Sequence, residues 1–120
     1  MNRFTKLRSA MPQYNSIPEV LESYKERFLP DQAAGVEGVV QLNLTGEGGG
    51  TYYMVIKDGT LEIKEGTHEN PTVTVTTSAE NWLKINNGKA NPMSLMMMGK
   101  LKVSGSLPMA MKFQSLFRTG

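Results

Sequence analysis

The sequence predicts a single domain of the α+β class, and three observations support that prediction. Several short segments alternate apolar and polar side chains, which is typical of strands with one buried face. Other segments space their apolar residues as a helix does, and each begins at a residue that can cap a helix. The 120 residues, 39% hydrophobic and 20% charged, fit one folded domain with its own core.

The first helix is predicted to begin at Ser16 and to end at Pro30. Ser16 and Glu19 have the spacing of a capping box, in which the serine accepts from a backbone N–H of the first turn and the acid reaches back to the capping residue. The apolar residues that follow at helical spacing are Ile17, Val20, Leu21, Tyr24 and Phe28. They form one stripe, so this helix is predicted to bury a single face.

Three strands are predicted next, joined as a meander. Residues 39–44 and 52–57 alternate in character, and the glycine-rich segment 46–50 turns the chain between them. Asp58 and Gly59 predict a two-residue hairpin, because both central positions of a type I′ turn need a positive φ. The side chains expected on the buried face are Val40, Leu42, Leu44, Tyr52, Met54, Ile56, Leu61 and Ile63.

A fourth strand and a second helix are predicted to follow the meander. Residues 72–77 contain only valine and threonine, and such β-branched density favours a strand. Thr77 and Glu80 repeat the capping-box spacing, so a helix is predicted to begin there and to end near Gly88.

The last third of the chain is predicted to contain two helices around one strand. Asn91 caps a short helix that ends at Gly99, residues 100–104 form a fifth strand, and Ser106 caps the last helix. That helix is apolar around most of its circumference, which normally means burial on several sides. A ligand, a partner or a membrane would supply the side that a small domain leaves open. Its apolar residues are Leu107, Met109, Ala110, Met111, Phe113, Leu116 and Phe117.

Residues 86–117 are rich in methionine, a side chain that re-packs around varied shapes. The density indicates either plain core packing or the lining of an adaptable apolar cavity. The methionines concerned are Met93, Met96, Met97, Met98, Met109 and Met111.

Charge is distributed unevenly along the chain. Residues 1–80 carry 7 basic and 11 acidic side chains, a net charge of −4, whereas residues 81–120 carry 6 basic and no acidic ones, a net charge of +6. This polarity indicates either an anionic partner for one face or an ordinary solvated surface. The aromatic residues of the basic segments, Trp82, Phe113 and Phe117, all lie in apolar helical contexts, which argues against nucleic acid binding. The lysines expected to dock on anionic headgroups are Lys89, Lys100, Lys102 and Lys112.

The sequence lacks the patterns that catalysis and cofactor binding require. There is no cysteine, and the one histidine, His68, lies in a polar loop, so no catalytic residue, metal site or cofactor is predicted. No apolar run approaches the roughly 18 residues of a membrane span, and the composition suits the cytoplasm. Residues 1–15 are expected to be a basic leader, and residues 16–120 the domain.

Residues 77–105 contain a recognisable succession of short motifs. They are the helix start Thr77-Ser78-Ala79-Glu80-Asn81-Trp82, the turn Asn87-Gly88-Lys89, the cap Asn91-Pro92-Met93 and the segment Met98-Gly99-Lys100-Leu101-Lys102-Val103-Ser104-Gly105. This succession resembles the sterol carrier protein 2 family, and the resemblance extends more loosely over residues 17–117.

The resemblance implies a five-stranded, mostly antiparallel sheet in the order 3-2-1-4-5, with helices packed on one face around an apolar tunnel. It also implies a non-catalytic lipid carrier, of the free-standing prokaryotic type, for a fatty acyl, acyl-CoA, phospholipid or sterol-like ligand. The tunnel should have the roughly 300–1,000 Å³ of an ordinary ligand site. The alternatives are a protein-interaction or homodimerisation module, and an accessory domain that presents a lipid to a partner enzyme.

The resemblance and the methionine density together predict which side chains line the tunnel. These are Trp82, Ile85, Met93, Met96, Met97, Leu101, Val103, Met109, Phe113, Leu116 and Phe117.

Overall fold

The computed structural model of the chain describes residues 13–118, so most of the predicted basic leader lies outside the described residues. Within them, the elements follow the predicted order. They are α1 (Ile17–Arg27), β1 (Gly38–Thr45), β2 (Gly50–Lys57), β3 (Thr60–Glu65), β4 (Val73–Ser78), α2 (Ala79–Asn86), α3 (Pro92–Met97), β5 (Leu101–Gly105) and α4 (Leu107–Ser115). No helix among them is long and apolar enough to cross a bilayer.

The strands form one sheet in the order β3-β2-β1-β4-β5, which confirms the predicted topology. Only the central pair, β1 with β4, is parallel; the neighbouring strands pair antiparallel. The register places Leu42 opposite Tyr52 on one side and opposite Val75 on the other, and Val75 opposite Val103. One apolar face therefore runs across the sheet, and the helices cover it.

The alternation of the strands correctly predicted this face. Leu42, Met54 and Ile56 are fully buried, and Val20 and Tyr24 of α1 are buried in the same apolar core. Asp58 and Gly59 both have positive φ, at 53° and 72°, as the hairpin signal required.

Both predicted capping boxes differ in detail from the structure. Ser78, not Thr77, caps α2, and its Oγ accepts from the N–H of Asn81 at 3.0 Å. Thr77 points into the core as the next inward residue of β4, and its hydroxyl donates to the carbonyl of Lys100. In α1, the Glu19 carboxylate accepts from the N–H of Asn15 instead of that of the cap Ser16.

Gln41 is buried on the opposite face of the sheet, which the alternation predicts to be solvated. The loop after β3 covers it: the Gln41 side chain donates to the carbonyl of Gly66 at 3.1 Å and accepts from the N–H of His68 at 2.9 Å. The His68 ring packs edge-on against Tyr53 with centroids 5.1 Å apart. The lone histidine thus helps to fasten a loop to the sheet.

The turn between β5 and α4 fixes the start of the last helix. Gly105 has a φ of +100°, and a Cβ there would lie 2.6 Å from the carbonyl oxygen of Thr72, so the close approach requires glycine. The next residue, Ser106, donates its N–H to the same carbonyl at 3.0 Å and caps α4 through its side chain. Thr72, the residue before β4, therefore holds the N-terminus of α4 in place.

The last helix ends earlier than predicted, at Ser115. Leu116 and Phe117 leave the helix and return to the end of α1, where Phe117 forms a β-bridge with Phe28. The N–H of Leu29 donates to the carbonyl of Leu116 at 2.8 Å. These bonds tie the two ends of the described chain together.

Candidate functional site

An apolar cavity of about 60 Å³ lies between the sheet and the last three helices. Strands β4 and β5 supply one side, and α2, α3 and α4 supply the other. Apart from the Trp82 indole, only Gln114 contributes a polar side chain to this lining. The lining residues are Val75, Trp82, Ile85, Pro92, Met93, Met96, Leu101, Val103, Leu107, Ala110, Met111, Phe113 and Gln114.

A second, more open cavity of about 250 Å³ adjoins the first. The two cavities share Trp82, Ile85, Pro92, Phe113 and Gln114 as a common wall. Away from that wall, the second cavity becomes polar, with Tyr24, Arg27, Asn86 and Arg118 in its lining. The site therefore changes from apolar to cationic along its length.

Neither cavity alone reaches the roughly 300–1,000 Å³ expected for a tunnel. The indole of Trp82 and the ring of Phe113 are buried and line both cavities at their junction. A long chain would need the helices or their side chains to move apart.

The structure brings most of the predicted lining residues together. The first cavity contains Trp82, Ile85, Met93, Met96, Leu101, Val103 and Phe113, and Phe117 lines the second. Met109 and Leu116 are buried but line neither cavity. The Met109 methyl group packs over Gly38 of β1, where an added Cβ would lie 3.2 Å from it. Met97 is 86% exposed and also lines neither.

The short helix α3 explains the position of Met97. Leu95 is buried and Met96 lines the first cavity, whereas Met97 and Met98 turn to solvent. A helix of less than two turns can direct only part of a methionine run inwards.

Several lining residues were not predicted from the sequence, although the spacing of one of them, Arg27, indicated its burial. Arg27 is three residues after Tyr24 and seven after Val20, so it falls on the apolar stripe of α1. A basic residue in such a stripe predicts a buried cation. The other missed residues were Val75, Pro92, Leu107, Ala110, Met111 and Gln114 in the first cavity and Tyr24, Asn86, Gly88, Ala90 and Arg118 in the second.

Arg27 is only 7% exposed and is held by neutral groups. It donates to the side chain of Asn86 at 3.0 Å and to the hydroxyl of Ser23 at 3.2 Å. Its guanidinium lies 4.8 Å from the ring centroid of Tyr24, a cation–π distance. The side-chain ion pairs between residues 13 and 118 are Lys25 with Glu22 and Lys84 with Glu80, so no carboxylate there lies within 4.0 Å of Arg27.

Trp82 places a polar atom at the junction of the cavities. Its Nε1 is buried and makes no hydrogen bond with any of the described residues. This nitrogen lies close to the Tyr24 hydroxyl and acts to lower the pKa of Tyr24, against the effect of burial. The contact does not have the geometry of a hydrogen bond. The Tyr24 hydroxyl itself donates to Asn86 at 3.1 Å.

The predicted docking lysines are all exposed, but they do not share one face. Leu101 and Val103 point from β5 into the cavity, so Lys102 between them points to the opposite side of the sheet, where it pairs with Thr76. Lys112 follows Met111 on α4, and Lys100 follows the exposed Met98 by two residues.

The described part of the chain contains no group of three or more histidine, aspartate or glutamate side chains that could hold a metal ion. The cavity lining contains no acid and no histidine.

The family comparison confirms the resemblance seen in the sequence. The model of the SCP-2 sterol transfer family matches residues 17–118. Hydroxysteroid dehydrogenase-like protein 2 of Rattus norvegicus is 26% identical over 106 residues, which are 88% of this chain and 20% of that protein. The chain thus spans about a fifth of the length of that relative.

Solved structures show the same fold. The sterol carrier protein domain 2 of Helicoverpa armigera has a TM-score of 0.62 at 28% identity, over 82% of this chain and 76% of that one. The sec-alkylsulfatase Pisa1 from Pseudomonas sp. has a TM-score of 0.77 at 18% identity, over 96% of this chain and 20% of that one. In that enzyme, the fold is one part of a longer chain.

The buried phenol beside Arg27 should make stability fall at alkaline pH. Burial raises the pKa of Tyr24 from 10.0 to about 12. In the unfolded chain the phenol ionises nearer pH 10, so its contribution to the free energy of unfolding is complete below pH 10 and is lost as the pH rises to about 12. We expect this to remove about 3 kcal/mol from the wild type across that window.

Urea unfolding of the wild type and of Tyr24→Phe across the same window measures this contribution. The difference between their free energies of unfolding should change with pH, because only the wild type has the buried phenol. A difference that stays constant over the window would contradict the assignment.

Proposed function

Because the chain belongs to the SCP-2 sterol transfer family, we propose that its lipid-binding domain is a non-catalytic carrier that holds a long-chain lipid in the two adjoining cavities. The observation that carries the proposal is the almost wholly apolar cavity between β5 and the helices. The proposal assigns no catalytic residue.

The wall of the first cavity combines contact with the ligand space and exposure to solvent. Met93, Leu107 and Met111 line the cavity and are 49%, 46% and 56% exposed. They therefore form its mouth. Unbranched methionine changes shape at low cost, so this wall can move outwards when a chain enters.

The energetics suit exchange between membranes. An acyl chain gains roughly 0.8 kcal/mol for each methylene that leaves water. A bilayer offers the same gain, so transfer from bilayer to protein should have a free energy near zero. A carrier needs such a balance, because it has to release its ligand as well as take it up.

A second candidate function uses the same cavity. The rat relative and the alkylsulfatase are both about five times longer than the matching segment. That observation favours an accessory role, in which the domain presents a lipid to an enzyme carried on the same chain or on a partner. Both candidates require the lipid to bind in the cavity.

Filling the cavity should abolish lipid binding. Ala110 is half-buried on α4 and lines the first cavity, so Ala110→Phe places a ring in the ligand space without burying a charge. We expect at least about a tenfold loss of affinity for a fluorescent long-chain fatty acid, measured by titration, because the chain and the ring compete for one volume.

Met97→Asp is the matched control, since Met97 is exposed and lines neither cavity. It should bind the probe as the wild type does, and thermal unfolding should show that both variants are folded. Wild-type affinity in a folded Ala110→Phe variant would contradict the assignment of the cavity.

Docking on an anionic membrane is the second part of the proposal. Lys89 and Lys100 are exposed in the segments that follow α2 and α3, and Lys112 is exposed on α4, so all three are attached to helices that line the first cavity. Each lysine near an anionic surface contributes about 1 kcal/mol, and salt screens that attraction.

The triple variant Lys89→Gln, Lys100→Gln, Lys112→Gln should therefore transfer lipid to vesicles containing phosphatidylglycerol about a hundredfold more slowly at low salt, because it loses about 3 kcal/mol of attraction. Raising the salt should remove the difference. Lys102→Gln is the control, because Lys102 points away from the cavity, and it should transfer at the wild-type rate. Equal effects of Lys102→Gln and of single changes at the other three positions would contradict docking by the helical side.

A further inference from the structure

We infer that the second cavity binds an anionic headgroup, with Arg27 as its counter-charge, while the lipid chain lies in the first cavity. This inference rests on the proposed carrier function and specifies the ligand class. The ligand is a long-chain carboxylate or phosphate, and not a neutral sterol.

The environment of Arg27 supports an anion site in the second cavity. A buried charge is costly unless an opposite charge compensates it. Arg27 is more than nine-tenths buried, and its hydrogen-bond partners are the side chains of Ser23 and Asn86 and the carbonyl of Arg118, all neutral. It lines the second cavity, so an anion that enters there reaches the guanidinium.

The Trp82 indole also supports an anion site in the second cavity. Its N–H is a buried donor without a hydrogen-bond partner among residues 13–118, and it belongs to the wall that both cavities share. Indole can only donate, so an acceptor on the ligand is what would satisfy it. Carboxylate and phosphate oxygens are strong acceptors, and both match the planar donors of an arginine.

The two charged side chains that line the second cavity are both cationic. Arg118 also lines it, and its N–H and one guanidinium nitrogen are anchored to the carbonyls of Arg27 and Glu26 at 2.8 Å. Glu19, Glu22 and Glu26 line a neighbouring surface depression that also contains Arg27 and Arg118, but none of the three lines the second cavity. The second cavity therefore presents two cations and no carboxylate.

The arrangement also sets the orientation of the ligand. The shared wall of Trp82 and Phe113 connects the apolar cavity to the cationic one, so one molecule can occupy both. Its chain contacts the methionines and β5, and its head contacts Arg27. A sterol hydroxyl would leave the guanidinium without a counter-charge.

Three probes with the same hexadecyl length test this inference: palmitate, hexadecyl phosphate and hexadecanol. Their affinities are measured by displacement of a bound fluorescent lipid at constant salt. At least one anion should bind the wild type about tenfold or more tightly than the alcohol, which is the usual effect of a hydrogen bond to a charged group. The anion that binds better identifies the headgroup as carboxylate or phosphate.

Arg27→Gln should abolish the preference for the anions and change the affinity for hexadecanol by less than about twofold. Lys25→Gln, an exposed change on the same helix, should keep the preference. Trp82→Phe, which removes the N–H donor together with part of the ring volume, should reduce the preference several-fold, because the lost volume affects three probes of equal chain length alike. It provides the test if Arg27→Gln does not fold.

The inference is overturned if the wild type binds the alcohol as tightly as both anions, or if folded Arg27→Gln keeps the wild-type preference. A wild type that binds none of the three probes contradicts the carrier function itself. Equal binding of all three contradicts only the headgroup site.

Discussion

Three aromatic rings join the two ends of the described chain: Tyr24 of the first helix, Phe113 of the last helix and Phe117 just after it. The ring centroid of Tyr24 lies 4.6 Å from that of Phe117 and 6.2 Å from that of Phe113, and the centroids of the two phenylalanines are 5.0 Å apart. All three distances are within the range of favourable ring contacts. This cluster holds α4 over the sheet, and Phe113 forms part of the wall between the cavities. Tyr24 and Phe117 also line the second cavity, so the cluster contributes to the wall of each cavity.

The cluster separates a rigid part of the molecule from an adaptable one. On the sheet side, residues such as Leu42 and Ile56 are fully buried, and strand pairing fixes their positions. On the other side, α3 and α4 present methionines that are half-exposed and unbranched. A small cavity of about 60 Å³ is therefore compatible with a larger ligand, because the wall that has to move is the one built from flexible side chains.

The sequence predicted the individual helices and strands well because each is encoded by local chemistry, whereas the strand order was implied by the family resemblance. The alternation in β1 to β4, the Asp58-Gly59 turn and the capping residues Asn91 and Ser106 each act within a few residues, and each was found as predicted. The errors came from long-range contacts. The loop that buries Gln41 and the inward position of Thr77 depend on partners far along the chain.

The candidate site was predicted less completely, for a physical reason. Composition reveals that methionines are abundant, but the direction of each depends on how α3 and α4 are seated, so Met97 and Met93 cannot be distinguished by type. The cationic end was missed because only apolar residues were assigned to the stripe of the first helix, and Arg27 was not considered. Its spacing from Val20 and Tyr24 placed it on the buried stripe, and that spacing was available in the sequence.

The central claim is that the cavities hold a lipid, and native mass spectrometry of the freshly purified wild-type chain tests it most directly. We expect a monomer with one long-chain lipid bound, which organic extraction releases and which its mass identifies. A lipid-free chain that also fails to take up added long-chain lipid, or a lipid-free homodimer, would contradict it.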